Sequence, residues 1–242
     1  MSHLAADHIA ALVATALGGV ALVLVARRGG ERWALPVRRG LALLILAAFA
    51  TEQLTYAVRG AWTVRFNLPL QLTDAVTLVS IAALWRPGTM LLVELVYFWA
   101  LTASVQAVLT PDLGLPFPDL LYFTYFTTHS GAIVAACLLV LGCGRIPRPG
   151  AAVRVWAITV GFAAAAAVAT VVTGGNYMFL RRKPARGSVL DHLGPWPWYI
   201  AGGAGLALLM LLGLAAVADV LRRRAHGSGI PRAGRPAGRD GP

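Results

Sequence analysis

Seven apolar runs divide this 242-residue chain, and each is close to the length that crosses a lipid bilayer. A transmembrane helix needs about 20 mainly apolar residues, and lipid offers no partner to unpaired backbone groups, so such runs are helical. The runs are Ile9–Val25, Gly40–Val58, Leu70–Trp85, Thr89–Leu109, Leu120–Leu141, Val153–Thr173 and Trp198–Leu221. The third run is the shortest. We therefore predict an all-α polytopic membrane bundle over residues 1–221, with about seven transmembrane helices, or six if the third run is re-entrant.

The composition excludes a water-soluble globule. Hydrophobic residues make up 58% of the chain and charged residues 13%, against about 25% charged in soluble domains. The formal charge of +11 is typical of nucleic-acid-binding proteins. However, the basic residues lie between the apolar runs and in the tail, where the positive-inside rule places them. We therefore predict membrane lipids as partners and no nucleic acid, and the oligomeric state stays open.

The same rule predicts an orientation. With the N-terminus outside, the inner loops and the tail carry 15 basic residues and the outer loops carry 6. This favours a multi-pass plasma-membrane protein with an outer N-terminus and a cytoplasmic C-terminus. Residues 222–242 are rich in Arg, Gly and Pro, so we predict a disordered basic cytoplasmic tail that is attracted to anionic lipid.

The sequence predicts no metal site, no cofactor and no disulfide. Its two cysteines, Cys137 and Cys143, have no partner cluster at metal-ligand spacing. It also contains no Gly-rich phosphate loop and no Gly-x-Ser-x-Gly motif.

Polar residues inside the apolar runs are the candidate site, because ionisable groups are costly at membrane depth and mark function there. They are Glu52, Gln53, Gln71, Thr73, Asp74, Glu94, Gln106 and His129. The third and fifth runs both enter the membrane from the predicted outer side, so Thr73 and His129 can face one cavity. Glu94 is the outlier, because it lies near the inner side.

His129 is the only histidine in the middle of a run. A neutral imidazole there can relay a proton, or it can simply hydrogen-bond a neighbouring helix. Threonine is a weak nucleophile that needs an adjacent base, and Thr73 can equally be a helix-packing residue. Asp74 either orients the imidazole or pairs with Arg59, Arg65 or an arginine of the sixth loop. The candidate orienting or polar residues are Gln71, Asp74, Glu52, Gln106 and Asn176.

The sixth loop carries a basic cluster on the predicted outer side, against the general charge distribution. Arginine offers a bidentate fork to phosphate. We therefore interpret the cluster as a candidate site for a lipid phosphate, formed by Arg181, Arg182 and Lys183.

Four ordered motifs between the second and seventh runs resemble the YwaF-type conserved integral membrane proteins of bacteria. The motifs are Leu68–Asp74, Gln106–Asp112, a fifth-run segment centred on His129, and Gly174–Arg181 followed by Leu190–Asp191 and Gly194–Tyr199.

That family resembles, more distantly, eukaryotic multi-spanning lipid enzymes. One branch is a Cys/His acyltransferase of ether phospholipids, and another consists of Thr/His hydrolases of fatty-acid esters of hydroxy fatty acids. The third-run motif of many members ends in Cys-Asp, whereas here it ends in Thr73-Asp74, which is closer to the Thr/His branch. The resemblance therefore implies Thr73 and His129 as catalytic residues.

Two functions remain as hypotheses. The first is an intramembrane lipid ester hydrolase or acyltransferase, in which Thr73 attacks an acyl ester and His129 acts as general base. The second is a proton-coupled transporter of small solutes, or a non-catalytic binding protein, in which Glu52, Glu94 and other polar residues form a path across the bilayer. Glu94 is the best support for transport, because it extends that path toward the inner side.

Overall fold

The computed structural model describes residues 6–111, 116–184 and 188–227. These residues form helices and loops and contain no strand, which confirms the all-α prediction. The longer helices are α1 (Ala6–Val58), α2 (Leu72–Trp85), α3 (Met90–Trp99), α4 (Val105–Leu109), α5 (Leu120–Cys137), α6 (Ala151–Thr173) and α7 (Trp198–Gly227). Two π-helical segments, Ala100–Ser104 and Leu138–Gly142, join α3 to α4 and extend α5.

Helix α1 is two helices joined at a sharp break. Gly30 has φ 58° and ψ −158°, which a residue with a Cβ adopts only with strain. The first arm runs parallel to α5: the Thr15 and Ser130 hydroxyls are hydrogen-bonded at 2.8 Å, and a Cβ added to Gly19 would lie 3.1 Å from Val134 Cγ2.

The second arm of α1, residues 31–58, runs in the opposite direction along α5. A Cβ added to Gly131 would lie 2.7 Å from Ile45 Cγ1, whereas Arg59, which follows the arm, pairs with Asp119 at the start of α5. Residue numbers thus increase along this arm where they decrease along α5, so the two are antiparallel. The chain reverses near Gly30, and the prediction of two antiparallel spans at the start of the chain agrees with this geometry.

The residues between the first two apolar runs differ from expectation because they are helical on both sides of Gly30. A single glycine reverses the chain where a loop was expected. Five helical segments are long and apolar enough to cross a membrane, the first being the whole of α1. Dividing α1 at Gly30 and adding α2 gives seven helical arms in the part of the chain that the structure describes.

Helix α2 is shorter than a full span. It begins at Leu72, two residues later than the third apolar run, and its 14 residues extend about 21 Å, against a hydrocarbon core of about 30 Å. Much of it is buried in the bundle, with Val76, Ser80 and Ala83 fully covered. This short buried helix holds Thr73 and Asp74 in its first turn.

Helix α7 continues to Gly227, six residues beyond the predicted boundary at Leu221. Arg224 and His226 lie in its last turn, where a positive charge interacts favourably with the helix dipole. The predicted disorder of 222–242 therefore does not hold for 222–227, which are helical, and residues 228–242 lie outside the described residues.

Helix α5 occupies the centre of the bundle. It packs against both arms of α1 and against α2, α3, α4 and the π-helical segment Ala100–Ser104. Helices α6 and α7 pack mainly on each other at the side of this core. The central helix thus carries the one mid-span histidine, and α2 lies directly against it.

Candidate functional site

The imidazole of His129 is fixed by its own helix. Its Nδ1 lies 2.8 Å from the carbonyl oxygen of Tyr125. Because a carbonyl can only accept, Nδ1 carries the proton and Nε2 keeps its lone pair. The ring stacks on the Tyr125 ring with centroids 4.1 Å apart, and the Tyr125 hydroxyl donates to the carbonyl of Ala107 on α4 at 2.9 Å. One tyrosine therefore sets both the tautomer and the tilt of the imidazole.

The Nε2 atom of His129 has no hydrogen-bond partner among the residues that the structure describes. The only hydrogen bonds of the ring are those of Nδ1, to Tyr125 and to the Thr128 hydroxyl at 3.2 Å. A neutral imidazole with a fixed Nδ1–H and an open Nε2 lone pair is the form that accepts a proton.

Thr73 lies in the first turn of α2 and is half-buried. Its carbonyl accepts the Thr77 hydroxyl at 2.8 Å, while its own hydroxyl makes no hydrogen bond within the described ranges. Helix α2 packs against α5. The structure thus places Thr73 and His129 on neighbouring helices, and no hydrogen bond joins them.

Asp74 has a different role from either one expected. Its carboxylate accepts the backbone N–H of Gln71 at 3.3 Å, so it caps its own helix. Neither the imidazole of His129 nor any arginine is its hydrogen-bond or ion-pair partner in the described part of the molecule. The orienting role falls instead to the carbonyl of Tyr125, and Arg59 pairs with another residue.

Acidic side chains lie near this end of α2. The Glu52 carboxylate lies within electrostatic reach of Asp74, and the Tyr56 hydroxyl lies within reach of both. Arg59 closes the group with a bidentate contact of 3.1 and 3.4 Å to Asp119. Glu52 and Asp74 thus influence each other electrostatically, and no hydrogen bond joins them in the described part of the chain.

Asp119 also caps α5. Its carboxylate accepts the backbone N–H of Leu121 at 2.8 Å. This hydrogen bond, followed by the guanidinium of Arg59, holds the pKa of Asp119 below its ordinary value.

Gln106 is not part of this group. It lies on the exposed surface of α4, and its side chain forms no hydrogen bond to any residue the structure describes. The π-helical segment before it changes the helical phase, which a constant 3.6-residue period does not predict.

The sixth loop is tied to the start of α2 by a buried tyrosine. The Tyr177 hydroxyl donates to the carbonyl of Val64 at 2.5 Å and accepts the N–H of Leu68 at 3.3 Å. The next N–H, of Met178, donates to the Gln71 side chain at 2.8 Å. Gln71 thus links the two segments, and the motifs that are far apart in sequence meet at the Thr73 end of the bundle.

The backbone of this loop is strained. Met178 and Phe179 both have positive φ, 51° and 56°, a conformation that costs a non-glycine residue about 1–3 kcal/mol. The Tyr199 hydroxyl donates to the Phe179 carbonyl at 2.5 Å. Contacts from two other segments therefore hold a conformation that the loop would not keep alone.

The side chain of Asn176 fixes the backbone of the basic part of the loop. Its side-chain oxygen accepts the N–H groups of Arg181 and Arg182 at 3.0 and 3.1 Å, and its amide donates to the Arg182 carbonyl at 2.9 Å. The amide is therefore used within the loop. The Arg181 and Arg182 side chains make no ion pair in the described segments, whereas Lys183 lies over the Tyr199 ring, 5.4 Å from its centroid.

Glu94 is held in an ion-pair network at the other end of the bundle. Its fully buried carboxylate accepts the backbone N–H and the guanidinium of Arg148, at 3.1 and 2.7 Å, and the guanidinium of Arg154 at 3.1 Å. These bonds attach the α5–α6 loop to α3. An acid that two arginines neutralise is a poor proton carrier, so the geometry removes the main argument for a transport path.

A large cavity lies apart from this site. It is a mainly apolar groove of about 720 Å³ between the two arms of α1 and α5, lined by residues such as Gly18, Leu44 and Phe126. Neither Thr73 nor His129 lines it. Among the described residues there is also no cluster of His, Cys, Asp and Glu that could hold a metal ion.

Several residues of the site were missed from sequence. Tyr177 and Tyr56 were not singled out, and the Arg59–Asp119 pair was not predicted. Tyrosine hydroxyls that bridge distant segments leave no periodic signal. The Tyr125–His129 contact, in contrast, follows the i,i+4 spacing of a helix.

These helices and their buried polar groups define a multi-pass helical membrane protein. The chain belongs to the TMEM164 family, whose model matches residues 3–215. Comparison with curated proteins and with solved structures finds no match.

Proposed function

We propose that this protein is an intramembrane lipid ester hydrolase or acyltransferase in which Thr73 is the nucleophile and His129 the general base. The observation that carries the proposal is the state of the imidazole: Nδ1 is fixed by the Tyr125 carbonyl, and Nε2 makes no hydrogen bond to a described residue. A second support is the resemblance of the Thr73 and His129 motifs to Thr/His ester hydrolases.

In this mechanism Thr73 Oγ attacks the ester carbonyl while its proton passes to His129 Nε2. The tetrahedral intermediate then expels the alcohol, which takes the proton back from His129 and leaves an acyl-threonine. Water attacks this ester in hydrolysis, and a lipid hydroxyl attacks it in acyl transfer. Proton transfer needs the two atoms within about 2.6–3.2 Å, and such contacts are often looser before substrate binds.

In this proposal the neighbouring basic loop binds the headgroup of the lipid substrate. Gln71 is bonded to Met178, so the segment with Arg181 and Arg182 lies close to the first turn of α2. Their side chains are exposed and suited to a lipid phosphate. With the phosphate at this surface, the ester of the same lipid lies deeper, toward Thr73. Glu52 and Asp74 contribute polarity beside it.

The test uses purified protein in liposomes with a labelled lipid ester and a fluorophosphonate probe. We expect Thr73→Ala and His129→Ala to abolish both turnover and labelling. Thr77→Ala is the matched control, because it makes the same change one turn deeper on the same helix. Equal turnover and labelling in wild type, Thr73→Ala and His129→Ala would refute the mechanism.

The cellular placement is part of the proposal. We propose a plasma-membrane location with the N-terminus outside and the C-terminus cytoplasmic, on the basis of the 15 to 6 distribution of basic residues. Reporter fusions at the two ends of the chain should then give opposite signals. Identical signals at both ends would contradict an odd number of spans.

A further inference from the structure

A second cavity lies at the opposite end of the bundle from Thr73. It has a volume of about 220 Å³ and is bounded by α3, the α5–α6 loop, the start of α6 and residues 212–222 of α7. Phe98, Leu212 and Ala215 form its apolar wall, and Arg148 and Arg222 line its polar end. It is independent of the proposed catalytic site.

The polar end of this cavity has an excess of positive charge. Arg148 and Arg154 share the single carboxylate of Glu94, and Arg222 pairs with Asp219. Three guanidinium groups at or beside the cavity therefore share two carboxylates, and Arg148, Asp219 and Arg222 are the charged residues that line it. Asp219 is the only acid on the cavity wall in the described structure, and its charge is offset by Arg222.

Hydrogen-bond donors remain unused there. Arg148 bonds Glu94 through Nε and Nη2, and Arg222 bonds the Pro147 carbonyl through Nε and Asp219 through Nη2. The Nη1 groups of Arg148 and Arg222 make no hydrogen bond to a described residue. Each guanidinium has five N–H donors in a planar fork, so each keeps donors for an anion.

The cavity also opens toward lipid. Val153 and Leu212 on its wall are 59% and 45% exposed, and in a bilayer such apolar surfaces face acyl chains. The volume is below the roughly 300–1,000 Å³ of sites that enclose a drug-sized ligand. It has room for a headgroup, while the tails of that molecule stay in the bilayer.

We propose that this cavity binds the phosphate headgroup of an anionic phospholipid between Arg148 and Arg222, with the acyl chains along the α6–α7 surface. Basic pockets between transmembrane helices on the cytoplasmic side bind such headgroups. This end of the bundle is also the one where the basic loops and the helical start of the tail lie. An apolar wall beside the cations favours a lipid over a free phosphate ion.

The experiment measures the association of spin-labelled phosphatidylglycerol and phosphatidylcholine with the full-length protein in phosphatidylcholine bilayers. We expect the wild type to prefer phosphatidylglycerol. Arg222→Gln should lower that preference by about fivefold, the effect of one arginine near anionic lipid, and Arg222→Lys should restore most of it. Arg223→Gln is the matched control, because it removes the same charge from the next, exposed position.

Filling the cavity tests the site without changing charge. Ala215→Phe should reduce the preference for phosphatidylglycerol, while Ala216→Phe, on the exposed face one residue away, should leave it unchanged. The proposal would be overturned if Arg222→Gln and Arg223→Gln changed the preference for phosphatidylglycerol equally, or if Ala215→Phe kept that preference in full. Displacement of the labelled lipid by millimolar inorganic phosphate would identify a free anion as the ligand and would overturn the lipid assignment.

Discussion

Replacing Tyr177 by phenylalanine should loosen the Thr73 end of the bundle. The substitution keeps the buried ring, which is 1% exposed, and removes only the hydroxyl. That hydroxyl bonds both the Val64 carbonyl and the Leu68 N–H. The change therefore disconnects the sixth loop from the segment that leads into α2.

The magnitude follows from these two bonds. Each intramolecular hydrogen bond contributes about 0.5–1.5 kcal/mol net, so losing both costs about 1–3 kcal/mol. Val64 is 51% exposed as a residue, so water can reach this part of the chain once the hydroxyl is gone. We therefore expect a loss of about 1–2 kcal/mol, in the lower half of this range.

Thermal unfolding of the purified protein in detergent measures this loss. For chains of about 150–250 residues, 1 kcal/mol corresponds to a shift in Tm of about 2–4 °C, so Tyr177→Phe should lower Tm by about 2–8 °C. Tyr56→Phe is the matched control, because the Tyr56 hydroxyl has no hydrogen bond to any described residue. A Tm of Tyr177→Phe equal to that of Tyr56→Phe would show that the two bonds do not hold the loop.

Three further changes test the packing and the ion pairs. Glu94→Gln should lower Tm more than Arg148→Gln does, because Arg154 still neutralises the carboxylate in the second variant; equal shifts in Tm would contradict the network. Gly131→Ala should cost about 1–3 kcal/mol through overpacking, since the new Cβ would lie 2.7 Å from Ile45 Cγ1. Adding Ile45→Ala should then cost less than the sum of the single changes, and strict additivity would argue against the contact. The lowered pKa of Asp119 means that its contribution to stability is present above the ordinary carboxyl pKa and is lost as pH falls through the lower folded value. Asp119→Asn should remove this acid-dependent part of the Tm profile, and an unchanged profile would disprove the assignment.

Apolar runs predicted the helices well, because lipid imposes the same requirement on every spanning segment: about 20 apolar residues with all backbone groups paired. They could not predict the break at Gly30. Charged residues on both sides of it end an apolar run, yet arginine and alanine are good helix formers. Hydropathy therefore reports where the chain leaves lipid and not where the helix stops.

The role of Asp74 shows how a small error in helix start changes a site. With a helix from Leu70, Asp74 would lie in its second turn and could point toward a neighbouring helix. The helix begins at Leu72 with Gln71 as its N-cap, so Asp74 is the third residue and bonds back to the cap N–H. The same two-residue shift turned a candidate catalytic orienter into a capping residue.

His8 and His129 together show why the open Nε2 of the mid-span histidine is informative. The His8 ring is 2% exposed, and its Nε2 lies 2.7 Å from the Val108 carbonyl, so that ring ties α1 to α4. His129 uses Nδ1 within its own turn and contributes no hydrogen bond to another helix. Ionisable residues inside transmembrane segments are rare and mark functional sites, so a mid-span histidine that does not tie two helices together is a candidate for such a role. The alternative of a purely structural His129, bonded to a neighbouring helix, lacks the contact that it requires within the described structure.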